Sequence, residues 1–306
     1  MRDEALAMPA IQKPQQPRGA LNWGSYVLAE AGVDSPRYDA QELLCHVLGV
    51  DHLVKANNLL TSGQWQQYLE LIGRRAQRQP LQHLLGYMYF RHLKLHSKPG
   101  VFITRPETEI LVDTALDILE KLQGHAGNTL RVVDLCSGSG AIALSLASEA
   151  PHVTVWAVEK DRTAFELSAQ HVREQKLQGV VTLVQGDATT PEILGDLDGS
   201  IDLVVSNPPY LHAEITQPEA LADPQEALWG EGYLGLDIPT KIIGRAAKLL
   251  RVGGELVMEH DPQQVAHLQT AAISAGFDKP RVVLDLNGCE RFLRAKKLPP
   301  KGKVAP

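Results

Sequence analysis

Residues 201–210 read Ile-Asp-Leu-Val-Val-Ser-Asn-Pro-Pro-Tyr. The apolar run 201–206 predicts a short buried strand of a parallel sheet. Pro208 and Pro209 have no N–H to donate, and each fixes its own φ, so the chain must leave this strand stiff and extended. The Asn207 side-chain oxygen and the backbone carbonyls are then acceptors at the carboxyl edge of the sheet, where open α/β folds bind ligands. Two acceptors suit a planar –NH2 group, which has two hydrogens to donate.

Strand-like and helix-like runs alternate along the chain from residue 130 onward. The predicted strands are 130–135, 153–159, 180–185, 201–206, 255–260, 281–285 and 291–295. The predicted helices are 141–149, 161–176, 239–250 and 263–275. This alternation predicts parallel pairing with right-handed crossovers, and the short connection 286–290 predicts an antiparallel last pair. The predicted fold class is α/β, with a seven-stranded, mostly parallel sheet.

Helical signals precede the sheet. Ser35-Pro36 and Thr61-Ser62 are predicted helix starts, and Gly49 is a predicted stop. Two short strands around a turn predict a hairpin after Gly86, and a further helix is predicted from Pro106 to Gly124. The predicted organisation is a mobile arm (1–18), a helical substrate-docking domain (19–86), a hairpin connector (87–105), a sheet domain (106–298) and a disordered tail (299–306).

Composition and charge argue against several classes of protein. The chain has 306 residues and a net charge of −6, so it lacks the broad basic field that is typical of nucleic-acid-binding proteins. The N-terminus has no apolar core of a signal peptide, and no stretch is long and apolar enough to predict a membrane span. Cys45, Cys136 and Cys289 are widely spaced, which indicates a reducing cytoplasm and neither a disulfide framework nor a metal site. Arg74, Arg75 and Arg78 are predicted on a solvated helix face, with partner docking as the alternative.

A loop rich in small residues follows the first strand of the sheet domain. Its members are Cys136, Ser137, Gly138, Ser139 and Gly140. Such a loop lets backbone approach a ligand at a helix N-terminus. Glu159 ends the next strand, where a carboxylate can accept hydrogen bonds from both ribose hydroxyls. The loop also fits the loose dinucleotide pattern G-x-G-x-x-A, and Asp187 either binds an adenine amino group or simply forms a turn.

Three further segments accompany these motifs. Residues 103–109 read Ile-Thr-Arg-Pro-Glu-Thr-Glu, residues 82–86 read Gln-His-Leu-Leu-Gly, and Asp223-Pro224 is followed by Gly235-Leu236-Asp237. Together with Asn-Pro-Pro-Tyr they resemble the release-factor glutamine methyltransferase family (HemK/PrmC), from about residue 22 to residue 297. The resemblance implies the class I methyltransferase (Rossmann-like) fold and S-adenosylmethionine as the cofactor. It implies that the partner and substrate is a peptide-chain release factor, methylated on the Gln of its Gly-Gly-Gln motif, with no DNA, membrane or metal involved.

By this resemblance the expected cofactor-binding residues are Cys136, Ser137, Gly138, Ser139, Gly140, Glu159, Asp187, Ala188 and Asn207. The chain departs from the family at Cys136, where Gly is usual, at Thr104, where Pro is common, and at Ala188, where an aromatic residue often lies against the adenine. Because Cys136 has a Cβ, its backbone is expected to avoid positive φ. Arg105 and Glu109 either cover the cofactor or fix the hairpin, and His260 is expected to be structural.

Asn207 and Pro208 are the predicted catalytic residues. An amide nitrogen is a weak nucleophile because its lone pair is delocalised into the carbonyl. We expect the Asn207 side-chain oxygen and the Pro208 carbonyl to accept one hydrogen each from the substrate –NH2, which positions the nitrogen and favours positive charge on it. Pro209 and Tyr210 complete the predicted substrate site, with Tyr210 packed on the flat amide. The alternative is a rigid turn that serves only the fold.

Other functions remain compatible with parts of the pattern. A glutamine methyltransferase acting on a ribosomal protein shares the motif, as does a methyltransferase acting on the adenine amino group of nucleic acid. The second would need to flip a base and hold a duplex, for which the acidic chain shows no obvious domain. A nicotinamide oxidoreductase leaves Asn-Pro-Pro-Tyr unexplained, and a non-catalytic module that docks onto a translation factor is the last alternative.

Overall fold

A computed structural model describes residues 16–55, 59–126, 129–213 and 217–300. The chain divides between Gly86 and Tyr87 into two compact units. Most of the predicted arm and tail lies outside the described residues, although the first helix already begins at Pro17, inside the predicted arm. No helix in the described ranges is long and apolar enough to cross a membrane.

The first unit is helical over its described residues, as predicted. Its helices are α1 (Pro17–Glu30), α2 (Pro36–Leu48), α3 (Ser62–Ala76) and α4 (Leu81–Leu85). The predicted helix starts and the predicted stop are confirmed. Pro36 opens α2, and Gly49 ends it in the left-handed conformation. Thr61 caps α3 and forms a capping box with Gln64.

Aromatic rings and a buried ion pair hold this helical unit together. Trp23 and Trp65 pack edge to face with centroids 5.2 Å apart, and the buried Tyr68 hydroxyl donates to the Ala40 carbonyl at 3.1 Å. Arg75 is buried and its Nε lies 2.6 Å from Asp39 Oδ2. The prediction of a solvated face is therefore wrong for Arg75, because the helical periodicity that exposes Arg74 turns Arg75 inward toward a carboxylate.

This ion pair gives a test of the helical unit. Arg75→Met removes the guanidinium that balances the buried Asp39 carboxylate, so we expect the unit to lose about 3–5 kcal/mol of stability. Urea unfolding followed by Trp23 and Trp65 fluorescence, with Trp156 and Trp229 replaced by Phe, measures this. Arg74→Met is the exposed control and is expected to change stability by less than about 0.5 kcal/mol. Equal effects of the two variants would contradict the assignment.

The second unit opens with a hairpin that packs onto the sheet domain. Strands β1 (Tyr87–Phe90) and β2 (Leu93–His96) pair antiparallel, and a 3-10 turn at Pro106–Thr108 leads into α5 (Glu109–Ala126). At the hairpin turn the Arg91 guanidinium contacts Glu149 Oε1 at 2.7 Å and Asp113 Oδ1 at 2.7 Å. The predicted helix stop at Gly124 is wrong, since α5 continues to Ala126.

A seven-stranded sheet forms the core of this unit and confirms the predicted fold class. Its strands are β3 (Leu130–Leu135), β4 (Val153–Glu159), β5 (Val181–Gln185), β6 (Ile201–Ser206), β7 (Leu250–Glu259), β8 (Arg281–Leu284) and β9 (Glu290–Lys296). Its helices are α6 (Ala141–Glu149), α7 (Arg162–Glu174), α8 (Asp237–Leu249) and α9 (Val265–Ser274). The strand order is β5-β4-β3-β6-β7-β9-β8, and β9 alone runs opposite to the other six strands.

Strand β7 begins five residues earlier than the predicted start at residue 255, directly where α8 ends. Gly253 and Gly254 lie in this early part of the strand. In the structure the register between β6 and β7 shifts between Ile201 and Leu203, so these glycines lie in a bulge within one continuous strand.

The register of the parallel strands brings the candidate residues to one edge. Leu135 pairs with Val158 on one side and Ser206 on the other, and Ser206 pairs with Met258. The residues that follow these positions therefore lie side by side at the carboxyl edge of the sheet, where the strands end. They are Cys136, Glu159, Asn207 and Glu259.

Candidate active site

A cavity of about 560 Å³ opens at the carboxyl edge of the parallel strands. It contains most of the residues predicted for cofactor and substrate binding: Cys136, Gly138, Glu159, Asp187, Ala188, Asn207, Pro208, Pro209 and Tyr210. Ser137 and Ser139 instead border a small adjacent cavity of about 30 Å³, and Gly140 caps α6 beneath the loop.

The glycine loop is wound tightly by three left-handed residues. Cys136, Gly138 and Gly140 have φ of 64°, 56° and 84°. The expectation that Cys136 avoids positive φ is therefore wrong. The surrounding hydrogen bonds impose this conformation, since the Ser137 N–H donates to the Val158 carbonyl and the Gly140 N–H donates to the Ser137 carbonyl. A left-handed backbone costs about 1–3 kcal/mol at a residue that, like Cys136, has a Cβ. At Gly140 a Cβ would lie 2.4 Å from the Ser168 Oγ, so this position requires glycine.

A buried histidine supports the loop from below. The His171 Nε2 accepts the His96 N–H at 2.9 Å, and Nδ1 lies 2.9 Å from the Ser139 carbonyl. Because Nε2 accepts, Nδ1 carries the proton and donates to Ser139, so the ring is neutral. Burial lowers the pKa of His171, which favours this neutral form. One imidazole thus joins the hairpin to the glycine loop.

This histidine makes stability depend on pH. Its pKa is lower in the folded protein than in the unfolded chain, so its contribution is fully present above about pH 6.5 and is lost as the pH falls below that value. We expect His171→Gln to cost about 1–3 kcal/mol at pH 7 and to flatten the decrease in melting temperature between pH 7 and pH 5. Thermal unfolding across this range measures both. The exposed His46→Gln serves as control, and identical pH profiles of wild type and His171→Gln would refute the role.

Glu159 ties the loop to the end of β4. Its Oε2 accepts the Gly138 N–H at 2.7 Å, and its Oε1 accepts the Asp161 N–H at 2.7 Å. Burial raises the pKa of Glu159, while these backbone hydrogen bonds oppose the increase. The carboxylate therefore has a fixed orientation at the cavity wall, where its remaining lone pairs can accept hydrogen bonds from the two hydroxyl groups of a diol.

Asp187 forms a turn, which is the predicted alternative to binding an adenine amino group. Its Oδ1 accepts the Thr189 N–H at 2.9 Å and the Thr189 hydroxyl at 2.6 Å, and Oδ2 lies 3.3 Å from the Lys160 Nζ. Burial alone would raise the pKa of Asp187, but the bonds from Thr189 and Lys160 outweigh it and lower that pKa. The neighbouring Ala188 is buried in the cavity wall, so no aromatic ring projects from this position.

The Asn-Pro-Pro-Tyr corner is anchored to a buried carboxylate at the end of β7. Glu259 is 2% exposed and accepts the Tyr210 hydroxyl at 2.8 Å and the Thr108 hydroxyl at 2.8 Å. Asn207 Nδ2 in turn donates to Thr108 Oγ1 through a long contact of 3.4 Å. Burial raises the pKa of Glu259, and the two hydroxyl bonds and the charge of Arg291 counteract this increase. The Tyr210 phenol, expected to pack on an amide, is thus fixed at its hydroxyl end.

Two acceptors of this corner receive no hydrogen bond from the part of the chain that the structure describes. Among the described residues, no N–H or hydroxyl bonds the Pro208 carbonyl, and the Asn207 side-chain oxygen likewise accepts nothing. Both residues line the cavity. The corner therefore offers two acceptors to a ligand that has two hydrogens to donate.

Loops around the corner are clamped by two further side chains. The buried Gln264 donates its Nε2 hydrogens to the Tyr210 carbonyl at 2.8 Å and the Leu234 carbonyl at 2.6 Å. The buried Asp223 accepts the Ile103 N–H at 3.1 Å and also binds the Arg105 guanidinium. The loop after the motif is therefore fixed both to the motif and to the segment that follows the hairpin.

Arg105 and Glu109, each expected either to cover the cofactor or to fix the hairpin, occupy different places in the structure. Arg105 lines the cavity while it pairs with Asp223, whereas Glu109 accepts the Arg91 N–H at 3.0 Å and fixes the hairpin. His260 is fully buried, and its Nδ1 lies 2.9 Å from the Asp261 carbonyl, in agreement with a structural role.

Carboxylates dominate the charge of the cavity wall. Among its described lining residues are six acidic and three basic side chains. They are Glu159, Asp161, Asp187, Glu226, Glu231 and Asp261, against Arg105, Lys160 and Lys241. Such a wall favours a ligand with net positive charge and disfavours a pyrophosphate.

Comparison with known proteins identifies the family. The model named PrmC N-terminal domain matches residues 19–86, and the model named Methyltransferase small domain matches residues 92–228. The release factor glutamine methyltransferase of Bifidobacterium longum is 41% identical over 289 residues, covering 90% of this chain and 97% of that protein. The chain belongs to the release factor glutamine methyltransferase family. The family and the methyltransferase class predicted from the sequence are thereby confirmed.

A second member of the release factor glutamine methyltransferase family agrees with this assignment. The protein of that name from Streptomyces coelicolor is 41% identical over 285 residues, covering 89% of this chain and 95% of its own length. Among solved structures, a methyltransferase from Pyrococcus furiosus is 16% identical, with a TM-score of 0.49, and the match covers 69% of this chain and 91% of that one.

Several residues of the candidate site were not predicted from sequence. Phe102 and Lys160 line the cavity, and Thr108 and Glu259 hold the motif. Lys160 and Glu259 stand at or directly after a strand end, a position that gives a usable signal. Phe102 and Thr108 come from the segment after the hairpin, whose placement depends on tertiary packing.

Proposed function

We propose that this enzyme transfers a methyl group from S-adenosylmethionine to the side-chain amide nitrogen of the Gln in the Gly-Gly-Gln motif of peptide-chain release factors. The observation that carries the proposal is the pair of acceptors at Asn207 and Pro208, which have no donor among the described residues and border an acidic cavity. A primary carboxamide has the two hydrogens that such a pair accepts. The names of the relatives supply the substrate.

The residues of the cavity fit S-adenosylmethionine, which when bound supplies an electrophilic methyl group on a sulfonium. The excess of carboxylates in the wall suits its net positive charge. Glu159 would hold the ribose hydroxyls, and Asp187 with Ala188 would border the adenine. Cys136, Ser137, Gly138, Ser139 and Gly140 form the loop beneath it. A nicotinamide dinucleotide fits less well, because its pyrophosphate would face these carboxylates.

In this proposal the side chains position the amide and stabilise the charge that develops on it. The Asn207 oxygen and the Pro208 carbonyl each accept one N–H, which fixes the nitrogen and places two partial negative charges where positive charge builds up. Pro209 keeps the corner rigid, and Tyr210 contributes a flat surface for the amide. We assign docking of the release factor to the helical unit, and we place the reaction in the cytoplasm, where release factors act.

Substitution of the amide tests the role of the corner. Asn207→Ala removes one acceptor, so we expect kcat to fall roughly 100-fold while S-adenosylmethionine affinity stays within about twofold. Turnover is measured by labelled-methyl transfer to a purified release factor, with peptide mass spectrometry to locate the methyl group, and affinity by calorimetry.

Glu166→Gln, on the exposed face of α7, is the matched control and is expected to behave as wild type. A methyl group on a residue other than the Gly-Gly-Gln glutamine would overturn the proposed substrate. Unchanged turnover of Asn207→Ala would overturn the proposed role of the corner.

A further inference from the structure

A chain of three polar side chains runs behind the acceptor corner. Thr108 lies in the turn before α5, is fully buried, and donates its hydroxyl hydrogen to Glu259 Oε2 at 2.8 Å. Asn207 presents its amide nitrogen, Nδ2, to the same hydroxyl oxygen at 3.4 Å. Carboxylate, hydroxyl and amide are therefore connected in series.

The charge at one end of this chain determines the direction of every bond in it. An ionised carboxylate can only accept, so the Thr108 hydroxyl must donate to Glu259. Its single hydrogen is then used, and the Thr108 oxygen can only accept from Asn207. An amide that must present its nitrogen on one side presents its oxygen on the other.

We propose that Glu259, acting through Thr108, sets the orientation of the Asn207 amide so that its oxygen faces the substrate nitrogen. Glu259 and Thr108 are then positioning residues, and this inference rests on the proposed function of Asn207 as an acceptor. With the amide reversed, Asn207 would present N–H to the N–H of the substrate, and the corner would lose half of its acceptors.

Glu259 also fixes the other end of the motif. Its Oε1 accepts the Tyr210 hydroxyl at 2.8 Å, so both carboxylate oxygens accept from a hydroxyl group. Glutamine cannot replace this arrangement, because one of its two positions carries hydrogens. A Gln side chain would either donate to Thr108 and allow the Asn207 amide to reverse, or donate to Tyr210. Position 259 therefore requires a carboxylate for its bonding pattern as well as for its shape.

The first test compares variants of Thr108. Thr108→Val has nearly the same shape and lacks the hydroxyl, so we expect kcat to fall about 10-fold with S-adenosylmethionine affinity unchanged. Thr108→Ser keeps the hydroxyl and should restore most of the lost turnover. Calorimetry with an unmethylated Gly-Gly-Gln peptide and S-adenosylhomocysteine provides a readout without turnover, and Thr108→Val should weaken peptide binding several-fold.

The second test asks whether Thr108 acts through Asn207. If it does, adding Thr108→Val to Asn207→Ala causes no further loss of kcat, because the amide that it orients is already gone. Glu259→Gln is expected to lower kcat in the wild-type background and to lower it less in Asn207→Ala, where only its bond to Tyr210 is affected. It also substitutes for Thr108→Val should that variant fold poorly.

Two results would overturn the inference: wild-type turnover of both Thr108→Val and Glu259→Gln, or equal fold-losses from them with and without Asn207. In either case Asn207→Ala still lowers kcat if the proposed function holds. Full activity of Asn207→Ala would instead refute the acceptor role itself, so the two failures are distinguishable.

Discussion

Two consecutive prolines at the carboxyl end of β6 impose the constraint on which the site depends. They remove two N–H groups, fix two φ angles and leave the chain extended where the parallel strands end. The Pro208 carbonyl then has no donor among the described residues, and the adjacent Asn207 side-chain oxygen has none there either. Buried or half-buried acceptors without partners are unfavourable, so the corner is a place where a ligand with two hydrogens gains binding energy.

The parallel register converts this local feature into a site. Because Leu135, Val158, Ser206 and Met258 lie in one row, the segments that follow them share one cavity edge. The glycine loop follows β3, Glu159 ends β4, and the buried Glu259 ends β7. The groups proposed to hold cofactor and substrate are thus provided by different strands of one sheet, and Thr108, from the segment before α5, contacts two of them.

Much of this arrangement is contained in local sequence. The strands, the helix starts at Pro36 and Ser62, and the acceptor corner follow from periodicity and from the chemistry of proline. Positive φ at Cys136 could not be predicted, because the conformation comes from hydrogen bonds of the loop to β4 that outweigh the residue's own preference. The buried Arg75 was missed for a similar reason, since its partner Asp39 lies in another helix. Thr108 became part of the site only through long-range packing against β7.

The most direct test is a crystal structure of the enzyme with S-adenosylhomocysteine and a Gly-Gly-Gln peptide. The account predicts that the glutamine amide nitrogen lies within about 2.7–3.2 Å of both the Asn207 side-chain oxygen and the Pro208 carbonyl, facing the sulfur. An amide nitrogen beyond hydrogen-bonding distance of both acceptors would contradict it.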